Sequence, residues 1–148
     1  MLNHPNSFRA LPVDRVGGTI TVPGDKSISH RALMLGAVAE GRTLVHGFLA
    51  SEDCLATQAA MEALGVTIRS EPGEPVRIDG VGLQGLRAPT RVLDLGNSGT
   101  AIRLLMGLLS AQPFDCVLTG DASLRQRPME RVAKPLREMG ALVETSDG

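Results

Sequence analysis

The stretch Pro23-Gly24-Asp25-Lys26-Ser27-Ile28-Ser29-His30-Arg31 decides the fold, because it follows a short apolar strand pattern and opens an apolar-periodic helix. The first turn of a helix presents free backbone N–H groups and a partial positive charge. Lys26 and Arg31 add two cations at that end, and Ser27 adds a hydroxyl. The stretch therefore predicts a binding site for an anion such as a phosphate group.

The composition restricts the classes of partner. The chain has 148 residues, a net charge of -1 and 43% hydrophobic residues, but 3 Phe and no Trp or Tyr. A chain so close to neutral attracts anions only locally. Modules that stack nucleic-acid bases need exposed aromatic side chains, so we expect no nucleic-acid partner.

The cysteines and the apolar runs bear on location. Cys54 and Cys116 lack the paired spacing of metal or redox motifs, so we expect two reduced, packed thiols and no metal site. Residues 1–15 contain no apolar core of a secretion signal, and no run reaches the roughly 20 apolar residues of a membrane span. These features predict a soluble, cytoplasmic protein without a membrane partner. Residues 143–148 read as a turn after a strand, so we expect the chain to be a fragment.

An internal repeat sets the fold class. The first copy predicts a helix over 26–39, a strand over 43–47, a polar turn over 50–53, a helix over 53–64 and a strand over 66–69. The second copy predicts a helix over 97–110, a strand over 116–119, a polar turn over 120–123, a helix over about 128–139 and a strand over 141–144. Helices that alternate with strands pack against sheets, so we expect an α/β (α+β) fold of about two βαβαββ units.

Local signals place the ends of these elements. Ser51 suits a helix N-cap, and Gly65 and Gly140 suit the left-handed residue after a helix. Pro135 predicts a kink or a restart of its helix. The stretch Asp79-Gly80 and the residue Gly73 predict turns.

The helices over 26–39 and 97–110 are apolar almost all round, which is typical of buried helices. We expect them to lie parallel inside the fold with their N-terminal ends adjacent. Those ends carry Lys26-Ser27 and Ser98-Gly99-Thr100.

Two further motifs contain polar groups at helix starts. In Leu95-Gly96-Asn97-Ser98-Gly99-Thr100-Ala101-Ile102-Arg103, Gly99 allows a ligand to approach the backbone, while Arg103 adds charge or pairs with a carboxylate such as Asp94. In Gly120-Asp121-Ala122-Ser123-Leu124-Arg125-Gln126-Arg127-Pro128-Met129, two arginines suit a phosphate or carboxylate group. Each motif alone is equally consistent with a capped helix that carries solvated charges.

Two other interpretations of the first motif fail. A P-loop needs glycine directly before the lysine, and Asp25 occupies that position. His30 has no nucleophile or orienting group nearby, so we predict a structural role for it and not a catalytic one.

Together, these three motifs resemble the bacterial 5-enolpyruvylshikimate-3-phosphate synthase (3-phosphoshikimate 1-carboxyvinyltransferase) family, over about the first third of its length. The resemblance implies an enolpyruvyl transferase-like fold with two domains, each of three βαβαββ units around buried parallel helices. Residues 1–22 would pack with the absent second domain, and residues 23–148 would supply about two of the three units of the first domain.

The resemblance also implies a reaction without metal or organic cofactor. The enolpyruvyl group of phosphoenolpyruvate passes to the 5-hydroxyl of shikimate 3-phosphate by addition and elimination through a tetrahedral ketal, and phosphate leaves. By position, the shikimate 3-phosphate contacts are Lys26, Ser27 and Arg31, and the phosphoenolpyruvate contacts are Lys26, Asn97, Gly99 and Arg127. Lys26 is the catalytic residue present, and the inhibitor glyphosate would compete for the phosphoenolpyruvate site.

This sequence differs from the family in two respects. Ser98 stands where many relatives have alanine, a change that we expect to be mild. The acid and base carboxylates of the family match nothing in this chain, so we expect the fragment alone to bind weakly and not to turn over. The resemblance implies a monomer for the full-length enzyme.

Two alternatives stay open at this point. A UDP-N-acetylglucosamine enolpyruvyl transferase would carry Lys-Asn in place of Lys26-Ser27 and a reactive cysteine near residues 122–125, which this chain lacks. A non-catalytic phosphate-binding module, complete at this length, would need neither feature.

Overall fold

The computed structural model describes residues 9–146, and within that range it forms five helices and five strands. In chain order they are α1 (Lys26–Val38), β1 (Glu40–Val45), α2 (Glu52–Ala63), β2 (Thr67–Arg69), β3 (Val76–Val81), β4 (Leu93–Asp94), α3 (Gly99–Leu109), β5 (Leu118–Thr119), α4 (Ala122–Arg125) and α5 (Glu130–Glu138). Predictions on residues 1–8 and 147–148, including the start of the 1–22 segment and the end of the chain, lie outside the described residues.

The first copy of the repeat contains a three-stranded antiparallel sheet in the order β1-β3-β2. β1 pairs with β3 over its whole length, and β2 pairs with the middle of β3. Val76 and Ile78 are buried and alternate with Arg77 and Asp79, so one face of β3 enters the core, where it packs against α1. β1 starts and ends earlier than the predicted strand over 43–47.

Gly80 lies inside β3, so the turn predicted at Asp79-Gly80 is wrong. A Cβ atom at Gly80 would lie 2.3 Å from the carbonyl oxygen of Ala39 and 2.5 Å from that of Gly36. The glycine therefore allows the C-terminal end of α1 to contact the strand closely. The turn predicted at Gly73 is confirmed, and its φ of 83° is in the left-handed region.

The second copy departs further from the predicted elements. β4 precedes α3 in the chain and β5 follows it, and the two strands pair in parallel. β5 has 2 residues, whereas the sequence predicts a strand over 116–119. The polar turn over 120–123 overlaps a short helix, α4, that Asp121 caps. α5 runs through Pro135 as one helix, so the restart is wrong. Residues 141–144 form no strand; β2, their counterpart, pairs with the strand that follows it in the chain, and no described strand follows here.

The hydrogen bonds that end α2 and α5 confirm the repeat. The N–H of Val66 donates to Met61 at 3.1 Å, and the N–H of Ala141 donates to Leu136 at 3.0 Å. Between them, Gly65 and Gly140 have φ of 93° and 97°, as predicted for residues that follow a helix.

Burial differs between the two helices that the sequence predicts to be inside. α3 buries most of its side chains, in agreement with the prediction. α1 buries Leu33 and Met34, but Ile28 is 68% exposed and Leu35 is 67% exposed, so it is not covered all round. The apolar segment before Pro23 forms no strand over residues 9–22.

Among the described helices, none combines the length and apolar character needed to cross a membrane.

Candidate anion-binding site

The start of α1 holds Lys26 in a defined position. The side chain of Asp25 caps the helix by accepting a hydrogen bond from the N–H of Ile28 at 2.8 Å. Lys26 Nζ donates to Asp53 Oδ2 in α2 at 2.8 Å, and the lysine side chain remains 51% exposed. This hydrogen bond is the main cause that raises the pKa of Lys26, so the group stays cationic and can reach a ligand.

Ser27 and Arg31 lie beside Lys26 on the exposed side of α1. Arg31 Nη1 donates to the carbonyl oxygen of Ser27 at 3.0 Å, which holds the guanidinium over the first turn. Both side chains are exposed. The first turn of α1 therefore presents two cations and a hydroxyl to solvent.

The start of α3 is organised around Arg127. Ser98 is fully buried and caps α3 by accepting from the N–H of Ala101 at 3.2 Å. Arg127 donates to Asn97 Oδ1, and Asn97 Nδ2 donates to Asp121 Oδ2 at 2.7 Å. A carbon placed on Gly99 as Cβ would lie 2.8 Å from Arg127 Nη1, so the guanidinium stands directly over the glycine.

Asp121 stabilises this arrangement from the side. Its carboxylate accepts from Asn97 and from the N–H of Leu124, the latter at 2.7 Å. These hydrogen bonds lower the pKa of Asp121, with the Asn97 contact contributing most. The carboxylate therefore stays ionised and orients the amide that faces Arg127.

Arg103 pairs with no carboxylate of residues 9–146, so of its two alternatives the pairing with a carboxylate such as Asp94 is wrong. Nη1 donates to the carbonyl oxygen of Gly99 at 3.1 Å and Nη2 donates to that of Pro128 at 3.3 Å. Asp94 instead accepts from the N–H of Gly96 at 3.0 Å. Burial lowers the pKa of Arg103, and the neighbouring Arg131 and Arg127 lower it further.

The two helix starts share one electrostatic environment. The positive charge of Arg127 lowers the pKa of Lys26, although the effect is smaller than that of Asp53. Two cations that act on each other, each beside a capped helix N-terminus, attract anionic groups of a small molecule. Chemically, the arrangement can bind phosphate and carboxylate groups and stabilise charge on a departing phosphate.

The sequence did not single out Asp53 and Asp121 as parts of the site. From the sequence, Asp53 belongs only to a polar turn and the start of a helix, and Asp121 belongs only to a polar turn. Each is an N-terminal residue of a helix or its cap, but its contact is 27 or 24 residues away in the chain. Sequence spacing alone does not reveal such pairs.

His30 is fully buried, in agreement with a structural role. Its Nδ1 lies 2.7 Å from Thr57 Oγ1. Burial lowers the pKa of His30 from 6.5, against the opposing effect of Asp53, while Lys26 and Arg31 lower it further.

We predict that this burial makes stability depend on pH. Below pH 6.5 the unfolded chain protonates His30 while the folded chain does not, so acid favours unfolding from that pH down to the lowered pKa. Denaturant titrations at pH 7.5, 6.5 and 5.5 should give a falling free energy of unfolding. The slope should be smaller in His30→Asn, which cannot titrate; equal slopes would contradict the prediction.

Within residues 9–146, no three His, Cys, Asp or Glu side chains converge on a position suited to a metal ion.

Comparison with known proteins identifies the family. Residues 11–148 match the model of EPSP synthase (3-phosphoshikimate 1-carboxyvinyltransferase). A 3-phosphoshikimate 1-carboxyvinyltransferase from Methylococcus capsulatus is 60% identical over 140 residues, and one from Desulforamulus reducens is 58% identical over 130 residues. A solved EPSP synthase from Acinetobacter baumannii is 60% identical, with a TM-score of 0.84 over 87% of this chain.

The chain spans only part of these proteins. The match to the Methylococcus relative covers 95% of this chain but 32% of that protein. The match to the Desulforamulus relative covers 88% of this chain and 30% of that protein, and the match to the solved chain covers 87% and 29%.

Proposed function

The chain belongs to the EPSP synthase family, and from that premise we propose that it is the N-terminal part of a 3-phosphoshikimate 1-carboxyvinyltransferase. The whole enzyme would transfer the enolpyruvyl group of phosphoenolpyruvate to the 5-hydroxyl of shikimate 3-phosphate and release phosphate. This step belongs to the biosynthesis of chorismate and the aromatic amino acids. The proposal rests on one observation above the others: Arg127, aligned by Asn97, stands over Gly99 at the start of α3.

The substrates divide between the two helix starts in this proposal. Lys26, Ser27 and Arg31 would hold shikimate 3-phosphate, since the first turn of α1 presents their cations and hydroxyl to solvent. Asn97, Gly99 and Arg127 would hold phosphoenolpyruvate, with Lys26 reaching both ligands. Lys26 is half exposed and is paired with Asp53, and both features support a position between the two ligands.

The reaction would proceed in two balanced stages. The 5-hydroxyl group loses its proton to a base as its oxygen bonds to C2 of phosphoenolpyruvate, while C3 gains a proton from an acid, which gives the tetrahedral ketal. The bond from C2 to the phosphate oxygen then breaks, C3 loses a proton and the enol ether forms. Lys26 and Arg127 would stabilise the negative charge on the departing phosphate. The acid and base carboxylates would come from the part of the enzyme beyond this chain.

The domain organisation is part of the same proposal. Residues 23–148 would be an incomplete first domain with about two of three βαβαββ units and with α1 and α3 parallel. Residues 1–22 would pack with the second domain. The exposed apolar side chains of Val16, Ile20 and Val22 support this, because such side chains gain stability when covered. We further propose that the whole enzyme is a cytoplasmic monomer without nucleic-acid or membrane partners.

The assay for this proposal uses the full-length protein that carries these residues. Phosphate release should require both shikimate 3-phosphate and phosphoenolpyruvate, and it should be absent from the isolated chain of 148 residues. Release with phosphoenolpyruvate alone, or no release with both substrates, would refute the activity.

Gly99→Ala should weaken inhibition by glyphosate more than it weakens phosphoenolpyruvate binding. The added methyl would lie 2.8 Å from both Arg103 Nη1 and Arg127 Nη1 and would displace at least one guanidinium. Glyphosate is one chain atom longer than phosphoenolpyruvate between its phosphorus and carboxyl groups, so it should tolerate the narrowed space less well. We expect the inhibition constant to rise at least about tenfold, the magnitude typical of overpacking.

The matched control is Gly107→Ala on the same helix, where a Cβ would meet nothing within 4 Å. It should leave both constants within about twofold, because an exposed helical alanine is tolerated well. Equal inhibition of wild type and Gly99→Ala by glyphosate would refute the prediction.

A further inference from the structure

Two contacts of the same spacing join α1 to α2. Lys26 bonds to Asp53 at 2.8 Å, and His30 bonds to Thr57 at 2.7 Å, and in each case the partners are 27 positions apart in the chain. His30 follows Lys26 by one helical turn, and Thr57 follows Asp53 by one turn, so each pair of neighbours shares a helix face. The Lys26–Asp53 contact is exposed, and the His30–Thr57 contact is buried.

The His30–Thr57 contact is closed to solvent. His30 and Thr57 each have a relative exposure of 0%, and the Nε2 atom of His30 has no hydrogen-bond partner among the described residues. A polar contact in such surroundings is costly to break, because each separated group would stay buried without a partner.

The protons of the His30–Thr57 contact can be assigned by counting the hydrogen bonds that each arrangement allows. Thr57 Oγ1 lies 3.2 Å from the carbonyl oxygen of Asp53 and can donate its one proton there. His30 Nδ1 must then carry a proton and donate to Thr57 Oγ1. The opposite assignment would lose the bond to Asp53 and bury an unpaired Nε2–H, so the first satisfies more groups.

We propose that His30 and Thr57 are positioning residues that fix the first turn of α2 and, through the backbone of Asp53, aim its carboxylate at Lys26. Cys54 supports the same register, since its Sγ lies 3.7 Å from the carbonyl oxygen of Lys26. The inference rests on the proposed function only in making Lys26 the group that contacts both substrates. Its structural part concerns the position of Lys26 in the protein without ligand.

The test measures how fast Lys26 is acetylated by sulfo-N-hydroxysuccinimide acetate in the full-length protein, with each lysine followed by peptide mass spectrometry. Lys134 is the other lysine of this chain and is exposed on α5, so it serves as the internal reference. In Thr57→Val, the weakened ion pair should let Lys26 react about threefold faster, with Lys134 unchanged. Thermal melts establish that each variant is folded.

Rescue separates positioning from bulk packing. His30→Asn keeps an N–H near the position of Nδ1 and should react at nearly the wild-type rate, whereas His30→Leu should behave like Thr57→Val. Should His30→Leu fail to fold, Thr57→Val and His30→Asn still decide the matter. Lys26 reacting at the wild-type rate in Thr57→Val would overturn the inference.

Kinetics provide the second readout. In the active enzyme, Thr57→Val should lower kcat/KM about fivefold, and this loss should disappear when Asp53→Asn is already present, because both changes act on Lys26. Additive losses of kcat/KM in the double variant would contradict the proposal that Thr57 acts through Asp53. A wild-type protein that releases no phosphate would refute the proposed function, while the acetylation rates would still test the inference.

Discussion

Lys26→Met in the full-length enzyme should lower kcat for phosphate release by about a thousandfold, the loss typical when one charged donor to a transition state is removed. Methionine keeps the apolar length of the side chain and removes the ammonium group. The ammonium is exposed and paired with Asp53 at 2.8 Å, and in the proposed function it contacts both ligands. The measurement is phosphate release at saturating concentrations of both substrates.

Lys134→Met is the matched control, because Lys134 is an exposed residue of α5 and its substitution removes the same charge. Its kcat should stay within about twofold of wild type, as for an ordinary surface substitution. Lys26→Met with wild-type kcat would exclude Lys26 from catalysis.

Arg127→Met should raise the KM for phosphoenolpyruvate by about a hundredfold, which corresponds to the loss of about 2.7 kcal/mol from charge-assisted hydrogen bonds. The guanidinium is held by Asn97 over Gly99, so its removal takes away one of the two guanidinium groups beside Gly99. The KM for shikimate 3-phosphate should change much less, since Ser27 and Arg31 hold that ligand in the proposal. Steady-state kinetics with each substrate varied in turn distinguish the two constants.

Arg125→Met provides the control for charge, because Arg125 is exposed at the end of α4, two residues away. It should leave both KM values nearly unchanged. If Arg127→Met raised the two KM values equally, the division of the ligands between the helix starts would be wrong.

The elements that could be predicted from the sequence are those whose signals are local. Ser51 caps α2 and Gly65 ends it because capping and left-handed geometry depend on a few adjacent atoms. Gly80 shows the limit of such signals. Its role is set by the carbonyl oxygens of Gly36 and Ala39, which reach it only after α1 has packed on β3.

Strand prediction failed where the partner decides the outcome. Residues 141–144 correspond to β2 in the repeat, but β2 is a strand because β3 pairs with it. A strand depends on hydrogen bonds from another segment, so its own composition is a weaker guide than that of a helix.

The candidate site followed the same division. Charges and a glycine at helix starts point to Lys26, Gly99 and Arg127 as candidates, and the family resemblance adds Asn97. Neither indicates that Asp53 holds Lys26 or that Arg103 bonds to the backbone of Gly99 and Pro128. Those contacts join residues distant in the chain, and they decide the direction of each cation.

The most direct test of the central claim, that two helix starts hold two substrate anions, is a crystal structure of the full-length enzyme with shikimate 3-phosphate and glyphosate. We expect the sugar phosphate within hydrogen-bond distance of Ser27 Oγ and Lys26 Nζ. We expect glyphosate to contact Arg127 and the N–H of Gly99. Both ligands bound away from these residues would contradict the account.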